Sequence, residues 1–351
     1  MSAAMLKPRL EWLLAFIPVA IVLDVVDANP VAVFTCAALA ILPLAGEIGT
    51  ATEDLALRSG PRVGGLLNAT FGNITEMIVA FFLILKGELE VVKASLTGSI
   101  IGNVLLVLGL AFLLGGWKRV EQQFSRAAVG LYTGSLVIAV VGLLMPALFA
   151  LSPEGTHAHN ETVSIGVASV LISVYVLGMV FSFRTHKTLF SPVLPDETPR
   201  WSFRKALTLL ALATVAVAFM SEILVGALEP TVASLGMSKL FVGLIVVPII
   251  GNAAEHASAV LMAMKDKMEV AVEIAIGSST QIAVFVAPVL VFVSLLLGHP
   301  MNFVFTAPEI AAVAVSTAVL SFIALDGRSN WFEGAQLLAT YLILAVSFFF
   351  L

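Results

Sequence analysis

Gly72-Asn73-Ile74-Thr75-Glu76 occurs a second time, in related form, as Gly251-Asn252-Ala253-Ala254-Glu255. Each copy lies inside a long apolar run of the kind that forms a membrane helix. A carboxylate at that depth is costly, and by default it indicates an ion or proton pathway. The two glutamates therefore mark the candidate site from which the rest of the sequence is interpreted.

The similarity between the two copies extends beyond the motif. At a constant offset of 179 positions, without gaps, ten residues of the first copy meet the same residue type in the second. They are Gly64, Gly72, Asn73, Glu76, Ala80, Lys86, Glu90, Val91, Gly98 and Ser99. Such an internal duplication is typical of transporters that are built from structural repeats.

The composition indicates a chain that is embedded in a membrane throughout. Of its 351 residues, 60% are hydrophobic and 12% are charged, whereas a soluble domain is about half apolar and a quarter charged. The net charge of −5 and the lack of a long Lys/Arg cluster argue against a nucleic-acid partner. The single cysteine, Cys36, excludes an intrachain disulfide.

At about 20 apolar residues per span, the sequence predicts an all-α membrane protein with eleven transmembrane helices. Their approximate ranges are 10–26, 31–57, 64–86, 92–116, 126–149, 162–183, 203–228, 238–264, 270–297, 305–325 and 331–351. The first helix stands alone, and the others form two halves of five. An odd number of helices per half places the second half upside down, so the repeats are predicted to be inverted.

The predicted domains are an N-terminal transmembrane helix (1–30), a first five-helix repeat (31–184), a linker (185–202) and a second, inverted repeat (203–351). Loops on the N-terminal side carry fifteen of the lysines and arginines, and the other side carries only Lys86, Lys93 and Lys239. The positive-inside rule therefore places the N-terminus in the cytoplasm and the C-terminus outside. The linker is then cytoplasmic, and a regulatory role for it stays open.

The residue types of the motif suit a calcium site. Asn and Glu three positions apart lie on one helix face, and a preceding glycine tolerates backbone distortion that frees carbonyl groups. Calcium takes carboxylate, amide and carbonyl oxygens, six to eight in all. If the two half-sites meet, the expected ligands come from Gly72, Asn73, Glu76, Gly251, Asn252 and Glu255. The alternative is a pair of protonated glutamates that only join helices by hydrogen bonds.

The same two glutamates provide a hypothesis for proton coupling. Burial disfavours the charged form of a carboxyl group, and a neighbouring carboxylate disfavours it further. An empty site would therefore hold protons on Glu76 and Glu255, and a divalent cation would displace them. Two protons or one Ca²⁺ neutralise the same pair, so competition for the pair is the simplest exchange mechanism.

The following helix of each half supplies further polar side chains. Small and polar residues allow helices to pack closely and to bond across their interface, so these residues act at the site directly or only hold helices together. The candidates are Ser99, Asn103, Ser278 and Gln281.

Three more ionisable residues are candidate auxiliaries. Glu47 and Glu222 precede the motifs and come into register after a four-residue insertion or deletion. Three roles are open for these two glutamates: they would relay protons, seal the cavity on a moving helix, or serve only a structural purpose. His256 follows Glu255 and points about 100° round the helix, where it is either a hydrogen-bonded core histidine or a titrating partner of the site.

Other function classes find little support. The sequence has no Walker loop, no His-Glu-x-x-His and no Gly-x-Ser-x-Gly, which argues against nucleotide hydrolysis and against the usual zinc-protease and hydrolase chemistry. We therefore expect neither an enzyme nor a cofactor beyond the transported ions. A passive channel is the remaining alternative, and the duplicated carboxylates in inverted halves favour a carrier.

The quoted motifs resemble those of a known family. Residues 72–80 and 251–259 are similar to the two repeat motifs of the calcium/proton exchanger (CAX) family within the cation/Ca²⁺ exchanger superfamily. Residues 277–288 and 98–109 resemble the segments that follow those motifs. The resemblance covers both halves and implies eleven membrane helices.

The resemblance also implies a function. Glu76 and Glu255 would be the shared Ca²⁺/H⁺ residues of an antiporter that exports cytosolic Ca²⁺ against inward protons, and Asn73 and Asn252 would complete the site. Helices 31–57 and 203–228 would form the mobile gate. A Na⁺-coupled or broad-specificity divalent cation exchanger is the alternative, although the Gly-Asn form of the motif favours protons. The length suits a prokaryotic plasma-membrane protein in the lipid bilayer, and a homo-oligomer stays open.

Overall fold

The computed structural model describes residues 10–186 and 199–351, and most of them are helical. In the first half, a 3₁₀ turn at Leu10–Ala15 leads into α1. The helices there are α1 (Phe16–Val25), α2 (Pro30–Phe71), α3 (Ile74–Leu85), α4 (Leu89–Ile101), α5 (Leu108–Gly116), α6 (Arg126–Ala150) and α7 (His157–Val180). A π-helical segment, Gly102–Val107, joins α4 to α5, and another, Phe181–Thr185, follows α7.

The second half has the same character. Its helices are α8 (Phe203–Gly226), α9 (Leu228–Leu235), α10 (Lys239–Phe241), α11 (Val247–Gly251), α12 (Ala253–Met264), α13 (Met268–Gln281), α14 (Ala287–Leu296), α15 (Ala307–Ile323) and α16 (Trp331–Phe349). The π-helical segments Val242–Val246 and Ile282–Val286 connect α10 to α11 and α13 to α14. Two short strands, β1 (Gln122–Gln123) and β2 (Arg328–Ser329), pair antiparallel.

The structure confirms an all-α membrane protein in its described part. Seven helical stretches there are long and apolar enough to cross a membrane: Pro30–Gly60, Leu89–Gly116, Arg126–Ala150, His157–Val180, Phe203–Gly226, Met268–Leu296 and Trp331–Phe349. An eighth results if Leu228–Leu235 and Lys239–Gly251, which meet at a bend of 118°, form one span. Every predicted range coincides with helix, but the count of eleven spans stays a prediction.

Residues Pro30–Phe71, labelled α2, consist of two helical parts that are separated at Gly60. The break lies between the predicted helices 31–57 and 64–86, so their separation is confirmed. Gly60 has φ 79° and ψ 168°, a backbone conformation that a side chain makes costly. The glycine therefore allows the chain to bend without leaving the helix for more than one residue.

Both motifs interrupt a helix in the same way. Asn73 separates α2 from α3 with φ −98° and ψ 17°, and Asn252 separates α11 from α12 with φ −99° and ψ 6°. In each case the glutamate three residues later lies in the first turn of the new helix. The positive end of the helix dipole therefore faces each carboxyl group.

Glycines allow the two halves to come together. A Cβ atom at Gly98 of α4 would lie 1.9 Å from the backbone oxygen of Leu244, and one at Gly243 would lie 2.7 Å from the Ala94 Cβ. Small residues at such a crossing let backbones approach closely in a membrane protein. This contact joins α4 to the π-helical segment that leads to the second motif.

Helices α2 and α8 pack along each other and are joined at one end by polar contacts. The buried carboxylate of Asp54 accepts hydrogen bonds from the backbone N–H groups of Arg200 (3.0 Å) and Trp201 (2.7 Å). Arg58 donates to the backbone oxygen of Trp201 through Nε (3.1 Å) and Nη2 (2.5 Å). The start of α8 is thus fixed to the end of the helical part of α2 that precedes Gly60.

Candidate ion-binding site

The two motifs meet, and each glutamate lies against the glycine of the other motif. A Cβ atom at Gly251 would stand 2.9 Å from the Glu76 Cγ, and one at Gly72 would stand 3.5 Å from the Glu255 Oε1. The carboxyl groups are close enough for the charge of Glu255 to act on Glu76. Two acids that are 179 positions apart in sequence therefore form one cluster.

Three oxygen atoms of this cluster are buried acceptors without a hydrogen-bond partner among the described residues. They are Glu76 Oε1, Glu255 Oε2 and Asn252 Oδ1. Buried polar atoms are normally satisfied, so each exception calls for an explanation. A cation or a proton at the cluster would provide one, since all three are hard oxygen ligands of the type that Ca²⁺ takes.

The carboxylates alone are too few to enclose a metal ion. Within the part of the chain that the structure describes, no group of three or more His, Cys, Asp or Glu side chains is arranged to hold one. A Ca²⁺ ion takes six to eight oxygen ligands. Amide, hydroxyl and backbone oxygens must therefore supplement Glu76 and Glu255, which fits the presence of an asparagine in each motif.

Each motif asparagine bonds to a serine of the other half. The Ser278 hydroxyl donates to Asn73 Oδ1 (3.2 Å), and Asn252 Nδ2 donates to the Ser99 hydroxyl (3.1 Å). Asn252 Nδ2 also donates to the Pro248 backbone oxygen (3.1 Å). The paired residues correspond at the offset of the repeat, so the network around the cluster is close to symmetric here.

The hydrogen-bond network extends further around Asn73 and Ser278 than around Asn252 and Ser99. Asn73 Nδ2 donates to Gln281 Oε1 (2.8 Å), and Asn103 Nδ2 donates to the Ser278 hydroxyl (3.1 Å). His256 Nε2 lies 3.1 Å from Asn103 Oδ1, and because that amide oxygen is an acceptor, Nε2 carries the proton in this contact. The structure thus brings the candidate auxiliaries Asn103, Ser278, Gln281 and His256 into one hydrogen-bonded group with Asn73, and it pairs the candidate Ser99 with Asn252.

Glu47 and Glu222 stand apart from that group. Glu47 on α2 is partly buried, Glu222 on α8 is exposed, and neither shares a hydrogen bond with the network in the described residues. Their predicted roles as proton relays or seals stay predictions.

A small cavity lies against the cluster on the side of Glu76. Its lining includes Glu76, Ser95, Ser99, Pro248 and Gly251 together with apolar side chains, and Glu255 is not part of that lining. Ser95 was not among the residues expected at the site. The spacing of four residues between Ser95 and Ser99, which places them on one face of α4, is the signal that could have found it.

Comparisons with known proteins bear on this site and fold. The family model described as "Sodium/calcium exchanger protein" matches residues 29–184 and 205–350. The "Ca(2+)/H(+) antiporter" of Synechocystis sp. (strain ATCC 27184 / PCC 6803 / Kazusa) is 46% identical over 357 residues, which cover 96% of this chain and 96% of the relative.

Solved structures agree with that match. The structure of native YfkE superposes with a TM-score of 0.87 at 40% sequence identity, covering 98% of this chain and 100% of that chain. The crystal structure of the H⁺/Ca²⁺ exchanger CAX superposes with a TM-score of 0.75, covering 97% of this chain and 91% of that chain. At 13% identity, the second likeness concerns the fold alone.

Proposed function

This chain belongs to the sodium/calcium exchanger protein family, and we propose that it is a secondary active antiporter that exchanges cytosolic Ca²⁺ for H⁺. Its relative from Synechocystis is named a Ca(2+)/H(+) antiporter, and YfkE is described as a Ca2+/H+ antiporter protein. We propose Glu76 and Glu255 as the shared Ca²⁺/H⁺ residues. The observation that carries this assignment is their reciprocal contact with the glycines of the opposite motifs.

The charges of the cluster account for exchange. When both carboxyl groups are protonated, the cluster is neutral, and the cost of burying charge is avoided. When Ca²⁺ binds, both protons leave, and the two negative charges balance the two positive charges of the ion. Asn252 Oδ1 is free to serve as a third ligand, and backbone oxygens next to Gly72 and Gly251 would add to the set.

The proposed architecture has eleven membrane helices, with the two five-helix repeats inverted relative to each other. The similar backbone angles at Asn73 and Asn252 support the repeat. So do the π-helical segments Gly102–Val107 and Ile282–Val286, which overlap at the repeat offset. The distribution of lysine and arginine supports a cytoplasmic N-terminus and an outer C-terminus. We propose residence in a prokaryotic plasma membrane.

Alternating access then requires one part to move against the other. We propose that α2 up to Gly60 and α8 form the gate, and that the motif helices with α4 and α13 form the core. The long contact between α2 and α8 supports motion of the two as one body. The tight crossing of α4 over Val242–Val246 supports a core that stays rigid.

The function is tested by flux in proteoliposomes of the purified protein. We expect ⁴⁵Ca²⁺ uptake when the lumen is acid, collapse of that uptake when a protonophore removes the gradient, and no drive from a sodium gradient. Uptake that survives the protonophore, or that follows sodium, would favour the Na⁺-coupled alternative. Competition by other divalent cations in the same assay measures the breadth of specificity.

A further inference from the structure

Glu273 is an acid inside a membrane helix that the duplicated site does not use. It lies in α13, which begins at Met268 just after the charged loop of Lys265, Asp266 and Lys267 on the side predicted to be cytoplasmic. Its side chain is partly buried. At the repeat offset the equivalent residue in the first half is Ala94, so the other repeat has no corresponding acid. An ionisable residue at this depth is a functional candidate by default.

Tyr132 of α6 packs against the face of α13 that carries Glu273. A Cβ atom at Gly277 would stand 3.9 Å from the Tyr132 Cζ, and Thr280 Oγ1 donates to the Tyr132 backbone oxygen (3.4 Å). Glu273, Gly277 and Thr280 share one helix face by their spacing. Because Gly277 has no side chain, the phenol lies against the helix, and the charge of Glu273 acts on it.

The face ends at the ion-binding cluster. Gln281 follows Glu273 by eight residues, about 12 Å along the helix axis at 1.5 Å per residue, and its Oε1 accepts the amide of Asn73. The ring of Tyr132 occupies the stretch between them. Polar groups therefore extend along α13 from its cytoplasmic end to the site.

Few other ionisable groups on the helices that pack against α13 interact electrostatically with Glu273. The helices in contact with α13 carry a small set of these: Arg126 and Tyr132 on α6, Glu255 and His256 on α12, Glu90 and Lys93 on α4. Electrostatic interaction with Glu273 comes from Tyr132 and, on α13 itself, from the exposed Glu269 one turn earlier.

We propose that Glu273 is the proton-exchange group on the cytoplasmic side of the antiporter and that Tyr132 carries protons past Gly277. This inference rests on the proposed Ca²⁺/H⁺ exchange. When Ca²⁺ displaces a proton from Glu76 or Glu255, the Glu273 carboxylate accepts that proton and becomes a neutral carboxyl. It then releases the proton to cytoplasmic water and regains its negative charge, and no other bond changes.

The decisive experiment compares two exchange modes of Glu273→Gln in proteoliposomes. Ca²⁺/H⁺ exchange should slow by about a hundredfold or more, since proton transfer by a positioned side chain typically contributes about 10²- to 10⁴-fold. Exchange of ⁴⁵Ca²⁺ for unlabelled Ca²⁺ at equal pH moves no net protons and should match the unchanged protein. Glu273→Asp should restore Ca²⁺/H⁺ exchange with an altered pH profile, and Tyr132→Phe should slow it.

The matched control is Glu269→Gln, an exposed acid of the same helix. It should reach the maximal rate of the unchanged protein in both modes, and loss of its charge next to Glu273 should shift only the pH profile. Equal loss of both modes in Glu273→Gln, without recovery in Glu273→Asp, would show a structural role and overturn the inference. The inference would also be overturned if Glu273→Gln had the same rate of Ca²⁺/H⁺ exchange and the same pH profile as an unchanged protein that does exchange Ca²⁺ for H⁺. An unchanged protein that exchanges Ca²⁺ only for Ca²⁺ would overturn the proposed function as well.

Discussion

Gly251 lies directly against Glu76, because a Cβ atom added to the glycine would stand 2.9 Å from the Glu76 Cγ. Carbon atoms do not approach so closely without displacement. The absence of a side chain at Gly251 therefore leaves the space in which the carboxyl group of the other half is held.

Gly251→Ala should displace Glu76 and weaken Ca²⁺ binding. A shift of about 1 Å in a positioned group can cost on the order of a hundredfold in function, and we expect at least a tenfold loss of Ca²⁺ affinity. Isothermal titration in detergent measures it. Gly102→Ala is the matched control, because its Cβ would meet no atom within 4 Å apart from its chain neighbours and the backbone of its own helix. Equal affinities in the two variants would contradict the prediction.

Glu76→Gln and Glu255→Gln should each abolish Ca²⁺/H⁺ exchange without unfolding the protein. Glutamine keeps the shape of the side chain and removes its charge, and the mutual repulsion of two buried carboxylates disappears with it. We therefore expect no exchange in liposomes and an unfolding temperature that is not lowered. Glu90→Gln, at an exposed acid of α4, should leave exchange intact. Exchange that persists in both site variants would refute the shared site.

The two motif asparagines should behave differently. Asn252 Oδ1 has no partner in the described residues, whereas both polar atoms of the Asn73 side chain are bonded, to Gln281 and Ser278. Asn252→Ala should therefore weaken Ca²⁺ affinity more than stability. Asn73→Ala should lower the free energy of unfolding by about 1–3 kcal/mol, since it leaves buried partners unsatisfied. The reverse order, from calorimetry and chemical unfolding, would contradict this assignment.

The sequence predicted the helical character and the position of the two broken helices because these follow from local pattern. Hydropathy located the helices, and the Gly-Asn pairs marked the interruptions at Asn73 and Asn252. The resemblance to calcium/proton exchangers is confirmed by the relatives. The break at Gly60 lies between the predicted helices 31–57 and 64–86, but the hydropathy pattern did not show which residue in that gap would adopt a positive φ.

Contacts that depend on tertiary packing lay beyond the sequence. The bond between Asn103 and His256 has no counterpart in the other half, because Ile282 occupies the position that corresponds to Asn103. A repeat offset alone cannot reveal such an asymmetric bond. The crossing of α4 over Leu244 likewise joins segments that are far apart in sequence. Most of the predicted linker lies outside the described residues, so its role stays a prediction.

Gly98→Ala should destabilise the core. A Cβ atom there would stand 1.9 Å from the Leu244 backbone oxygen, and because the obstacle is backbone, the two segments must separate. Overpacking of this kind costs about 1–3 kcal/mol and occasionally more. Thermal unfolding in detergent should show a lowered transition for Gly98→Ala and an unchanged one for Gly102→Ala. A normal transition in Gly98→Ala would mean that this crossing is looser than described.

Asp54→Ala should loosen the connection between α2 and α8. The Asp54 carboxylate is buried and satisfies two backbone N–H groups, those of Arg200 and Trp201. Its removal leaves both donors without this acceptor, which costs about 1–3 kcal/mol when a buried group stays unsatisfied. We expect a lower unfolding temperature and, if the two helices move as one gate, a slower exchange at saturating Ca²⁺ with little change in Ca²⁺ affinity.

The control for this variant is Ser59→Ala, one turn further along α2, which loses only a bond to the Leu55 backbone oxygen of its own helix. The unfolding temperature and the exchange rate of Arg58→Lys should lie between those of Asp54→Ala and Ser59→Ala. Lysine keeps the charge but cannot place two donors on the Trp201 oxygen as the guanidinium does. If Asp54→Ala binds Ca²⁺ as tightly, unfolds at the same temperature and exchanges as fast as Ser59→Ala, the contact at Trp201 does not join the two helices.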